Sequence, residues 1–125
     1  KFINFTCMKA QKTAISNLCT IQIQGVKDTQ DLLSGKWKTV IIAALYNNEK
    51  FRFMDLSRHI EGISPKVLSK ELKDLELNEL VQRTVVDTMP ITVEYRLTPQ
   101  GRSLNKIVDA MAEWGINYRN NMKLS

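Results

Sequence analysis

The sequence predicts an α+β fold, mostly α, built around one core. Three observations predict it. Apolar residues recur at helical spacing in several separate stretches. Two runs rich in Val, Thr, Ile and Tyr, Val81–Val86 and Ile91–Leu97, face each other across Thr88-Met89-Pro90. The chain has 125 residues, 43% hydrophobic and 25% charged, which is one domain's worth of ordinary globular composition.

The elements follow in order. Residues 1–24 form an N-terminal extension of weak pattern, in which Ala10–Leu18 suits a helix and Thr20–Gln24 alternates like an extended segment. Residues 25–125 make the domain proper. Val26, Gln30 and Leu33 suit a short helix stopped by Gly35, a favoured residue past a helix end. Trp37, Val40, Ile41, Ala44 and Leu45 mark a second helix, stopped by Asn47-Asn48. Phe51-Arg52-Phe53 suits a short strand, and Asp55–Ile60 a short helix ended by Gly62. Ser64-Pro65 opens the best-defined helix: Ser is a strong cap, and Pro at the first helical position loses no hydrogen bond. It runs to Leu77 or Asn78. The two strand-like runs then form a hairpin with a turn of four or five residues. Thr98-Pro99 caps a last, long helix.

Short helices followed by a hairpin are the layout of a winged helix-turn-helix. In that layout the helix before the hairpin enters the major groove of DNA, and the hairpin is the wing. The charge balance allows it: 18 Lys+Arg against 13 Asp+Glu give +5, compatible with a polyanion. On a helical wheel Leu68, Leu72 and Leu75 form one stripe. Lys66, Ser69, Lys70 and Lys73 cluster on the opposite side. An ordinary surface helix with a solvated lysine face carries the same pattern; the neighbouring hairpin and the net charge favour DNA. Ser64, Lys66, Ser69, Lys70 and Lys73 are therefore the expected DNA contacts, with Arg83 on the wing. Arg83 and Arg96 suit phosphate contact and pairing with Asp87 or Glu94 equally well. The wing tip, Thr88 to Thr92, is uncharged.

Six blocks carry a resemblance. They are Leu33-Ser34-Gly35-Lys36-Trp37-Lys38; Arg52-Phe53 with Leu56; Gly62-Ile63-Ser64-Pro65-Lys66-Val67-Leu68; Leu72-Lys73-Asp74-Leu75-Glu76; Val93-Glu94-Tyr95-Arg96-Leu97-Thr98-Pro99-Gln100-Gly101; and Trp114-Gly115. Together, over about residues 25–119, they resemble the HxlR family of bacterial transcription regulators, relatives of the MarR-type winged-helix proteins. The resemblance implies a cytoplasmic homodimer joined by terminal helices, with two reading helices on a pseudo-palindromic site. Two departures stand out. Many members carry Cys-Pro about where Gln24-Gly25 stand here, and in some that cysteine senses oxidants. Cys7 and Cys19 lie earlier and are expected to be inert or partly buried thiols. The family often has a basic residue where this wing has Thr92.

The last helix is too apolar for a lone surface helix. Leu104, Ile107, Val108, Met111, Trp114 and Tyr118 are expected at a dimer interface, the alternative being packing onto their own domain. A small-molecule pocket lined by Trp37, Tyr46, Met111, Trp114 and Tyr118 is a further reading without independent support. Catalysis finds little footing. His59, the single histidine, reads as a helix-end residue, and Ser34-Gly35-Lys36 lacks the rest of a phosphate loop. No metal-ligand spacing or cofactor motif occurs, and two cysteines twelve apart make no disulfide framework. No stretch approaches the roughly 20 apolar residues of a membrane span. The Lys1–Ala10 stretch lacks the apolar region of a secretory signal, so a cytoplasmic, non-membrane setting is expected. The function expected is a dimeric, sequence-specific regulator that binds double-stranded DNA. The competing class is a winged-helix module that binds protein.

Overall fold

The computed structural model of the chain describes residues 12–124. It contains two compact units, one up to Ser34 and one from Gly35 onward. The Cys7 assignment lies outside the described residues.

Among the described residues the first unit is a single helix, α1 (Lys12–Leu32). It runs unbroken through Thr20–Gln24, which alternation had suggested as extended. Five alternating residues are a short signal, and a strand without a neighbour leaves its backbone groups unpaired. Helical spacing instead lets Gln24 Nε2 donate to Asp28 Oδ1 at 2.9 Å and Thr29 Oγ1 donate to the Gly25 carbonyl at 2.9 Å. Cys19 is exposed on this helix, so the expectation of partial burial fails for it. Ile21, Ile23 and Val26 are exposed as well.

The second unit runs α2 (Lys38–Tyr46), β1 (Phe51–Arg52), α3 (Phe53–His59), α4 (Pro65–Leu77), β2 (Val81–Val86), β3 (Thr92–Leu97), α5 (Pro99–Arg102) and α6 (Asn105–Leu124). The strands form one antiparallel sheet in the order β1-β3-β2. Its register pairs Phe51 with Tyr95 and Val81 with Leu97. Ile41, Ile42 and Leu45 of α2 meet Leu56 of α3 and Leu68, Leu72 and Leu75 of α4 in the core. Leu80, Val81, Tyr95 and Leu97 close it from the sheet.

The caps read from sequence form as their chemistry requires. Ser64 Oγ accepts from the Val67 backbone N–H at 3.2 Å, with Pro65 opening α4. Gly62, just past α3, has φ +90°, a conformation most side chains resist. The hairpin turn spans residues 87–91, because Val86 pairs with Thr92. Ile91 thus belongs to the turn.

The expected last helix is two helices. Thr98 does cap the first: its Oγ1 accepts from the Gly101 N–H at 3.0 Å and donates to the Glu79 carbonyl at 2.6 Å. That ties α5 to the base of the hairpin. At Ser103 and Leu104 the bonds tighten to the three-residue spacing, Leu104 N–H reaching the Gly101 carbonyl at 3.2 Å, and α6 departs afresh. The break corrects the interface assignment at two positions. Leu104 and Val108 are buried in their own unit, so they serve the core and have no surface to offer a partner.

Candidate nucleic-acid interface

Helix α4 divides cleanly into two faces. Leu68, Leu72 and Leu75 are each 0% exposed. Lys66, Ser69, Lys70 and Lys73 all lie on the exposed side, as does Ser64 at the cap. Hydrophobic burial thus fixes which way the polar face points.

The acids of α4 do not share that face equally. Glu71 is buried, and its Oε1 accepts from Lys38 Nζ at 3.0 Å. Lys38 also lies 3.4 Å from Asp74 Oδ2. Burial alone would lower the Lys38 pKa, but the hydrogen bonds and charges of Glu71 and Asp74 outweigh it and hold it above the ordinary lysine value. Lys70 Nζ sits 3.7 Å from Glu71 and 3.6 Å from Asp74, with most of its side chain in solvent. Two of the three α4 acids are therefore neutralised at the α2 side of the helix. Lys66 and Lys73 have no carboxylate partner among the described residues, so their charge is available to an outside anion. The Lys38–Glu71 pair joins residues 33 apart, and no local pattern encodes it.

The hairpin puts its two arginines on opposite faces. Residues paired directly across a ladder share a face. Val81 and Leu97 are paired and buried, so Arg83, paired with Tyr95, lies on the same helix-facing side. Arg96, paired with Gln82, lies on the other side with Glu94. Neither arginine forms an ion pair with Asp87 or Glu94; Glu94 instead meets Lys50 at 3.5 Å. At the turn, Met89 is 98% exposed and Ile91 is exposed too.

Helix α6 leaves the core after Val108 and carries its apolar residues into solvent. Ile107, Met111, Ile116 and Met122 are exposed. Trp114 and Tyr118 stack with ring centroids 4.9 Å apart. Of the five residues suggested for an effector pocket, Trp37 and Tyr46 stand at the two ends of α2 and Met111, Trp114 and Tyr118 on α6. Trp37 stands at the start of α2, with Lys36 Nζ 4.8 Å from its ring centroid, whereas the depression beside Trp114 and Tyr118 is walled by α6 itself. His59 ends α3 with its ring 5.1 Å from that of Phe51. Among the described residues no His, Cys, Asp and Glu cluster could hold a metal, and no helix is long and apolar enough to cross a membrane.

A capped helix with one basic face, preceded by a short helix and followed by a hairpin that completes a three-stranded antiparallel sheet, defines a winged helix-turn-helix protein. The family model for the HxlR-like helix-turn-helix matches residues 32–123, and the chain belongs to that family. It is a DNA-binding transcriptional regulator and not an enzyme. An uncharacterized HTH-type transcriptional regulator of Halalkalibacterium halodurans is 38% identical over 105 residues, 80% of this chain and 93% of the relative. The Bacillus subtilis regulator YtcD is 38% identical over 95 residues, 76% of this chain and 75% of YtcD. Among solved structures, the redox regulator HypR in its reduced form superposes with a TM-score of 0.73 at 35% identity, over 81% of this chain and 99% of HypR. The YtcD structure gives 0.71, over 76% of this chain and 96% of that one.

Proposed function

We propose that the protein acts in the cytoplasm as a homodimer on a pseudo-palindromic DNA site. Each copy lays α4 in a major groove and its β2–β3 hairpin along the adjoining backbone. The observation that carries this reading is the division of α4: three fully buried leucines on one side, and Lys66, Ser69, Lys70 and Lys73 exposed on the other. Lys66 and Ser69 stand toward the N-terminal half, from which recognition helices reach base edges. Lys73 is a phosphate anchor. Lys70 shares its charge with Glu71 and Asp74 and contributes less than Lys66.

The dimer reading is supported by the exposed stripe of α6. Ile107, Met111, Trp114 and Tyr118 form its centre once Leu104 and Val108 are assigned to the core. A two-fold contact there would space two reading helices roughly 34 Å apart, one turn of DNA.

Binding to duplex DNA as a function of salt tests the groove assignment. Log K should fall steeply with log salt, and Lys73→Ala should shallow the slope by about one. Unchanged site selectivity in a Lys66→Ala, Lys70→Ala double variant would sink it. Sedimentation tests the dimer: Met111→Glu should give monomers, and an undisturbed dimer would place the interface elsewhere.

A further inference from the structure

The three lysines on the exposed face of α4 are not equivalent. Lys66 and Lys73 have no carboxylate partner among the described residues, whereas Lys70 Nζ lies 3.6 Å from Asp74 Oδ2 and 3.7 Å from Glu71 Oε1. The same two oxygens hold Lys38 Nζ, at 3.4 Å and 3.0 Å. Two ammonium groups and two carboxylates therefore alternate around a closed ring with no net charge. The inner half of the ring is fixed in the protein, the side chains of Lys38 and Glu71 being 8% exposed each. The outer half faces solvent: the side chain of Asp74 is 38% exposed and that of Lys70 is 74% exposed. Asp74 is thus an acid at the edge of the basic face, anchored by a buried lysine and holding an exposed one.

We infer that Asp74 sets specificity: it withholds Lys70 from DNA of unrelated sequence and yields it only where α4 is fully seated on its own site. Sequence-independent affinity grows with each cation that neutralises a phosphate and releases counterions. A lysine paired with a carboxylate contributes none of this until the pair opens. The pair of Lys70 with Asp74 lies largely in water, where such pairs are weak, so a phosphate or guanine edge in direct contact displaces the carboxylate. A loosely docked duplex, with water between helix and groove, offers no direct contact, and Lys70 stays on its acid. Asp74 does not follow the lysine outward, because Lys38 holds the same oxygen from the buried side. Lys66 and Lys73, which carry no such restraint, attract any duplex. Discrimination is a difference between two affinities, and lowering the unwanted one raises it as surely as strengthening the wanted one. Asp74 touches Lys70 and not the DNA, so it is a positioning residue.

The inference rests on the reading that α4 faces duplex DNA, and the test separates the two. Full-length protein is titrated, across a salt series, with a duplex of unrelated sequence and with a site recovered by selection from a random pool. Asp74→Asn frees Lys70, so it should steepen the slope of log K against log salt by about one on the unrelated duplex and leave the slope on the selected site as it was. Affinity for the unrelated duplex should rise roughly two- to fivefold, the worth of one exposed ion pair, and the affinity ratio should fall accordingly. Lys70→Ala should do the reverse, shallowing the slope by about one on the selected site and hardly changing it on the unrelated duplex. In a Lys70→Ala background Asp74→Asn should no longer steepen anything. Steepening that persists there would mean that the Asp74 charge repels DNA directly, and would overturn the inference. Equal steepening on both duplexes, with an unchanged affinity ratio, overturns it too. If Asp74→Asn melts early, Lys70→Ala decides alone, and equal shallowing on the two duplexes overturns the withholding. Wild-type slopes in both variants, with Lys73→Ala still shallowing its own, overturn the role of Asp74 and leave the groove assignment standing. Loss of salt dependence in the wild type itself overturns both.

Discussion

Helices α4 and α6 are built from the same device, an apolar stripe along one side, and they use it in opposite ways. In α4 the stripe of Leu68, Leu72 and Leu75 is wholly covered by its own unit, and the charged side is what the molecule displays. In α6 the cover ends with Val108, and beyond it Met111, Trp114 and Tyr118 are displayed. The first helix is complete within one chain. The second holds apolar surface that a single chain does not cover. Amphipathic pattern alone does not distinguish the two; the location of the covering residues does.

The sharpest way to break the comparison is through the ion pair under α4. Lys38→Met leaves the Glu71 carboxylate buried without its strongest partner and should cost about 3–5 kcal/mol in urea melts. A Lys38→Met, Glu71→Leu double variant should recover most of that loss, because the uncompensated charge is gone. Failure to recover would mean that the pair's hydrogen bonds, and not its charge balance, hold α4 against α2.

A matched pair of truncations comes next. Leu72→Ala should destabilise by about 2–5 kcal/mol at any protein concentration, through a cavity in the core. Trp114→Ala should change unfolding at high dilution by no more than about 0.5 kcal/mol, as surface substitutions do. It should weaken self-association by about 2 kcal/mol, the behaviour of an interface anchor. Equal, concentration-independent losses in both would erase the distinction between the helices.

The smallest effect is one of pH. The folded-state pKa of Lys38 is raised, so its contribution is full below the unfolded lysine value of roughly 10.4 and drains away as pH climbs through the folded value. The stability difference between wild type and the double variant should therefore be flat across neutral pH and shrink only in strong alkali. A change near neutrality would point to a different titrating group.

Much of the fold was legible because its signals are local. Ser64-Pro65 and Thr98-Pro99 each carry a cap and a compatible first residue within two positions. The hairpin shows in two β-rich runs around a proline turn. The leucine stripe of α4 needs only a wheel. What escaped depends on distant partners. The close approach of Gly101 to Leu80 brings together residues 21 apart in sequence, and the Lys38–Glu71 pair spans two helices. Leu104 and Val108 fit the stripe of α6 by spacing, yet only the chain's path decides that they turn inward. The continuity of α1 through Thr20–Gln24 was hidden by a short alternating stretch that has no strand to pair with.

The close approach at Gly101 also has a genetic reading. A Cβ there would stand 2.1 Å from the backbone oxygen of Leu80, an atom held in the base of the hairpin. Glycine is the one amino acid without a Cβ, so every missense change at that codon, alanine included, meets the same obstacle. Position 101 should therefore have no mild missense alleles. In a saturation library it would stand out as a column of uniform loss, whereas positions 111 and 114 on α6 would retain large apolar alleles and lose charged ones.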